Sequence, residues 1–85
     1  MQLDERTMRL IAVGASITAN CQSCLQANLE KARETGSDEQ EIAEAIWVGK
    51  MVRKGAAAKM DSFTNRLSQA VPQTADDSGE DCECK

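Results

Sequence analysis

The sequence predicts an all-α fold, and three observations predict it. Apolar residues recur at helical spacing in successive blocks separated by helix-starting and helix-stopping residues. No stretch alternates apolar and polar residues as a half-buried strand does. Ser37-Asp38-Glu39-Gln40 reads as a capping box, with Ser37 as N-cap and Gln40 at the third helical position, which sets a firm helix boundary mid-chain.

The first helix is expected over 4–19. Leu3, Leu10, Gly14 and Ile17 lie near one face, Thr7 fills the gap, and Ile11 and Val13 widen the stripe. Asp4 and Glu5 suit the positive end of its dipole. Gly14, Ala15 and Ala19 are small enough to let another helix approach, and equally are simply small residues a helix tolerates. Thr18, Ala19 and Asn20 form a break, with Asn20, or alternatively Thr18, as N-cap of a second helix over 21–35. Cys21, Cys24 or Leu25, Asn28, Leu29 and Ala32 make its inward stripe, and Gly36 ends it in a left-handed conformation. The third helix places Ile42, Ala45, Ile46, Gly49, Val52 and Ala56 on one face, which Trp47, Val48 and Met51 broaden. Gly55-Ala56-Ala57-Ala58 reads as a kink or short break before a last helical stretch to about residue 70, which Pro72 stops. A helical domain over 1–71 is thus followed by an acidic tail over 72–85, with almost nothing to bury and a composition of the disordered kind, ending in Cys82-Glu83-Cys84.

Composition narrows the function. The 85 residues make one small domain whose core is marginal alone. With one Trp, one Phe and no Tyr, other copies of the chain are expected to complete the apolar faces, giving a homo-oligomer. The alternative is that Trp47 roofs the monomer core. The net charge of −4 and the lack of a Lys/Arg cluster disfavour nucleic acid. No secretory signal and no membrane-length apolar run is read, so a cytoplasmic setting is expected, where thiols are kept reduced. The chain has no His, so any base is a carboxylate, a thiolate, an amine or water.

Cys21-Gln22-Ser23-Cys24 is the stretch that carries chemistry. Two thiols in the first turn of a helix can close a small disulfide, and the free N–H groups there favour a thiolate. Three readings follow from spacing: a redox centre, a pair of structural thiols, or half of a zinc site completed by Cys82 and Cys84. The redox reading needs no cofactor. In it, the tail dithiol Cys82/Cys84 is close enough along a flexible chain to act as an electron shuttle to the first pair.

Taken in order, residues 12–17, Cys21 to Cys24, the helix end from Ala32 to Gly36, and the segment Ser37-Asp38-Glu39-Gln40-Glu41-Ile42-Ala43-Glu44-Ala45-Ile46 resemble the carboxymuconolactone decarboxylase / alkylhydroperoxidase D-like family. The resemblance covers the central two-thirds of the chain. It implies an all-α domain that assembles as trimers or hexamers. It also implies a Cys-x-x-Cys that cycles between dithiol and disulfide while reducing peroxides or partner disulfides, recharged by a dithiol or thioredoxin-like reductant. The lactone decarboxylase branch lacks this pair, so Cys21 and Cys24 place the chain on the redox side. By resemblance Cys24 takes the oxidant and Cys21 resolves, whereas helix-terminus reasoning alone favours Cys21 as the thiolate. The redox branch carries a His four residues after its second Cys and a Glu upstream. Here Asn28 stands at the first position, and the upstream region offers Arg9. A further reading keeps the helical oligomer as an interaction protein without catalysis.

Overall fold

The computed structural model describes residues 1–68 and 70. The tail, with Pro72, Cys82 and Cys84, lies outside the described residues, as does the 71/72 domain boundary. Three helices are described: α1 (Glu5–Thr18), α2 (Gln22–Glu34) and α3 (Glu39–Leu67). No strand occurs among the described residues, so the fold is all-α. None of the helices is long and apolar enough to cross a membrane. The chain divides into two compact units, Met1–Lys50 and a second beginning at Met51.

Asp4 caps α1 from outside the helix, accepting the Thr7 N–H at 2.8 Å, rather than sitting in its first turn. Hydrogen bonds from the Thr7 side chain and backbone hold the Asp4 carboxyl below its ordinary range.

The two connections between helices use one device, and it shifts both N-caps by one residue from the sequence expectation. Asn20 adopts φ 56° and ends α1: its N–H donates to Ile17 O at 3.0 Å and the next N–H, of Cys21, donates to Ser16 O at 3.0 Å. That is a Schellman exit with Asn in the left-handed position. Asn20 therefore closes α1, and Cys21 becomes the N-cap of α2. Gly36, at φ 96°, repeats the arrangement: Gly36 N–H donates to Arg33 O at 3.1 Å and Ser37 N–H to Ala32 O at 3.0 Å. Ser37 is consumed by the exit of α2 and buried, and its hydroxyl finds no partner among the described residues. The capping box moves to Asp38 and Glu41: Glu41 N–H donates to Asp38 Oδ1 at 2.8 Å and Asp38 N–H to Glu41 Oε1 at 3.1 Å.

In the first unit the core is Val13, Ala32 and Ile42, one from each helix, with Leu10, Leu25, Leu29, Ala45 and Ile46 packed against it. The stripe of α1 is narrower than its pattern suggests: Leu3 and Ile11 are about half exposed, at 48% and 55%. The small residues of α1 do permit a close crossing. A Cβ on Gly49 of α3 would collide with the carbonyl oxygen of Gly14 and stand 2.8 Å from the Ile17 Cβ; one on Gly14 would meet Ala45 O at 3.1 Å. The Thr18 hydroxyl donates to Gly49 O at 3.0 Å across the same crossing. Arg6 pairs with Glu41, and Arg33 with Glu39 at 2.8 Å. The Arg33 guanidinium lowers the Glu39 carboxyl and is itself raised by it. The exposed Arg33–Glu39 pair adds little to stability.

α3 runs unbroken through 55–58 where a kink or break was expected. Alanine is the strongest helix former, and one Gly costs only about 1 kcal/mol in a long helix. In the second unit the Arg66 guanidinium lies 5.6 Å from the Phe63 ring centroid, and the Thr64 hydroxyl donates to Asp61 O at 2.8 Å. α3 ends at Leu67 rather than near 70.

Candidate active site at the start of α2

Cys21 belongs to two helices at once. Its N–H completes the exit of α1 by donating to Ser16 O at 3.0 Å, and its carbonyl accepts the Leu25 N–H of α2, also at 3.0 Å. Its sulfur is the N-cap group of α2 and accepts the Cys24 N–H at 3.2 Å. The backbone thus pins Cys21 from both sides, and Cys24 stands one turn into the helix with the two Cα atoms 5.2 Å apart. The two sulfurs are joined as a disulfide.

The electrostatics suit a sulfur that carries negative charge when the bond opens. The first turn of α2 contains no acidic side chain, so its N–H groups and the positive end of the dipole are left to Cys21. The Ser23 hydroxyl lies 3.8 Å from the Cys21 sulfur. Cys24 is exposed and Cys21 half-buried, so a partner in solution meets Cys24 first.

Asn28 lies one turn beyond Cys24 and is half-buried. Its amide donates to the Ser16 hydroxyl at 3.0 Å, and Ser16 in turn donates to Ala12 O at 2.7 Å. Ser16 was not singled out by the sequence reading. It is buried within the apolar stripe of α1 and holds both ends of the site, Cys21 through its carbonyl and Asn28 through its hydroxyl. A small polar residue at a core-facing helical position was the available signal. Arg9, which the region upstream of the cysteines offers, donates to Glu5 at 2.8 Å. Lys31 sits in the last turn of α2, where a cation suits the negative dipole end. Among the described residues no group of three or more His, Cys, Asp or Glu is placed to hold a metal. The four-thiolate site would need Cys82 and Cys84, outside that set.

The model of the carboxymuconolactone decarboxylase family matches residues 2–64. The chain is also similar to a protein of Paracoccus denitrificans described as "Uncharacterized protein 4 in cox locus", 42% identical over 55 residues. That match covers 65% of this chain and 50% of the relative, so the chain spans about half the length of the curated relative it matches. No solved structure matches the chain. With the family model covering α1, α2 and nearly all of α3, this chain belongs to the carboxymuconolactone decarboxylase family.

Proposed function

We propose that this protein is a thiol-dependent oxidoreductase, of the disulfide oxidoreductase or peroxidase kind, that cycles Cys21 and Cys24 between dithiol and disulfide. The observation that carries the reading is the placement of an exposed Cys24 beside a Cys21 whose sulfur caps a helix free of first-turn acids. In the oxidising half-cycle the Cys24 thiolate attacks the oxidised substrate and becomes a sulfenic acid or a mixed disulfide. The Cys21 thiolate then attacks the Cys24 sulfur, closes the bond and expels water or the substrate thiolate. In the reducing half-cycle an external dithiol attacks the exposed Cys24. Cys21 leaves as a thiolate stabilised by the Cys24 N–H, and a more stable leaving thiolate departs faster. Two electrons pass in each half-cycle, and no metal or organic cofactor is required. The test is peptide mass spectrometry of the reduced protein after brief treatment with hydrogen peroxide or a small disulfide. A Cys21–Cys24 linkage is expected from at least one oxidant; its formation by neither contradicts the reading.

The working form is a homo-oligomer, a trimer or hexamer as the resemblance implies. Support comes from the first unit's exposed Trp47 and Val48, at 57% and 46%, an apolar surface of the kind that marks subunit contacts. Sedimentation equilibrium is expected to give a multiple of the 9.2 kDa chain mass. A monomer at all concentrations contradicts this.

A further inference from the structure

Resting on the reading of Cys21 and Cys24 as a cycling pair, we infer that Ser16 is its positioning residue. The bond from the Asn28 amide to the Ser16 hydroxyl keeps Cys24 within reach of Cys21 while the disulfide is open.

In the closed form the bond between the sulfurs sets their separation. In the open form only the backbone does. Cys24 lies within α2, but Cys21 stands just outside it with an extended backbone, φ −106° and ψ 101°. Two bonds tie Cys21 forward to α2, through its carbonyl and its sulfur, and one ties it back to α1, from its N–H to Ser16 O at 3.0 Å. A shift of α2 against α1 therefore pulls on Cys21 from both ends and changes the approach of its sulfur to Cys24.

Ser16 opposes that shift at two heights. Cys21, Cys24 and Asn28 follow one another at i, i+3 and i+7, so they run along one side of α2. Ser16 holds the first through its carbonyl and the last through its hydroxyl, and Cys24 stands between the two anchors. The direction of the second bond is fixed. Ser16 has one hydroxyl proton and gives it to Ala12 O at 2.7 Å, so toward Asn28 it accepts, and the nitrogen end of the amide faces α1. The bond to Asn28 is more than the satisfaction of a buried hydroxyl. A helical Ser bonded to the carbonyl four residues back already has its partner. The contact from Asn28 is an added tie between helices, made at a residue that is only 5% exposed. Closure of the pair is an intramolecular attack: the Cys21 thiolate displaces the group held on the Cys24 sulfur, which leaves with the electron pair of the broken bond. Its rate and its equilibrium both depend on how well the two sulfurs are held in place.

The experiment equilibrates the full chain with mixtures of reduced and oxidised dithiothreitol and reads the Cys21–Cys24 bond by quenched alkylation and peptide mapping. Alkylation of Cys24 in the reduced protein is timed alongside, and circular dichroism reports the helices. Ser16→Ala removes the hydroxyl and leaves the backbone bond to Cys21 in place. It is expected to lower the equilibrium constant for closure by about tenfold, which raises the reduction potential by about 30 mV. The alkylation rate of the exposed Cys24 is expected to stay that of the parent. Asn28→Leu, which keeps the bulk and loses the donor, is expected to do the same from the other side, and the double variant is expected to show no more than one single effect. Should Ser16→Ala not fold, Asn28→Leu at its half-buried position carries the comparison. An unchanged equilibrium constant in a folded variant overturns the inference. So do single effects that simply add, or closure and alkylation falling together. Failure of the unaltered protein to close the bond at any ratio of the buffer overturns the redox reading itself.

Discussion

Alanine at Gly49 is expected to cost about 3 kcal/mol or more, because the added methyl has nowhere to go. Its nearest neighbours are the carbonyl oxygen and carbon of Gly14 and the Cβ of Ile17, atoms of backbone or backbone-fixed position that no rotamer change removes. Separating α1 from α3 to make room would also break the Thr18 hydroxyl bond to Gly49 O and loosen the Val13–Ile42 core. In a chain of this size the midpoint of thermal unfolding should fall by roughly 12–24 °C, read by circular dichroism. Gly14→Ala meets Ala45 O at 3.1 Å, a contact a small shift relieves, and should cost less. Gly55→Ala is a control of opposite sign. Nothing lies within 4 Å of its added methyl, so replacing a helical glycine should gain about 0.5–1 kcal/mol. A Gly49→Ala protein as stable as the parent would show that the crossing is not as close as described.

Much of this fold was legible because its signals are local. The stripe Leu10, Val13, Ile17 and the run Ile42, Ala45, Ile46, Gly49 declare their helices by period alone. Gly36 declares an exit because few other residues accept its backbone conformation. The N-caps were misplaced for a reason that is also local. Asn20 and Ser37 have good capping side chains, but each follows a helix whose last carbonyls also seek donors. The backbone N–H groups of Asn20 and Cys21, and of Gly36 and Ser37, go to those carbonyls. The competition between ending one helix and starting the next is decided by geometry the residue type does not carry. The continuity of α3 through 55–58 was missed because Gly55 was weighed above the three alanines that follow it.

The site divides the same way. Cys21 and Cys24 were visible from spacing, and their closeness follows from the pitch of a single turn. The link from Asn28 to Ser16 joins residues on different helices and needed the tertiary fold to appear. So did the pairing of Gly14 with Gly49, only half of which, the small residues of α1, was noted in the sequence.

Serine at Cys24 is expected to lower turnover with a disulfide substrate and a dithiol reductant on the order of 10³-fold or more, as removal of a reacting nucleophile does. Serine at Cys21 should behave differently. The hydroxyl still caps α2, so helix stability should change little. Cys24 remains exposed and still attacks, but no resolving sulfur stands beside it. The Cys21→Ser protein should therefore accumulate a mixed disulfide on Cys24, visible as an added substrate mass by intact-protein mass spectrometry, and stall there. The Cys24→Ser protein should accumulate no such adduct on Cys21 at a comparable rate, because that sulfur is half-buried. The reverse pattern, a fast adduct on Cys21 and none on Cys24, would exchange the two roles.

Reduction of the folded protein by a dithiol, followed by trapping of free thiols with a mass-tagged alkylating reagent, tests the central claim most directly. The claim is that the Cys21–Cys24 bond opens and closes on an intact helical scaffold. It predicts that both sulfurs become labelled, Cys24 ahead of Cys21, while the helical circular dichroism signal stays that of the oxidised protein. A bond that yields only after denaturant has melted the helices would contradict it, and would make the pair a structural staple.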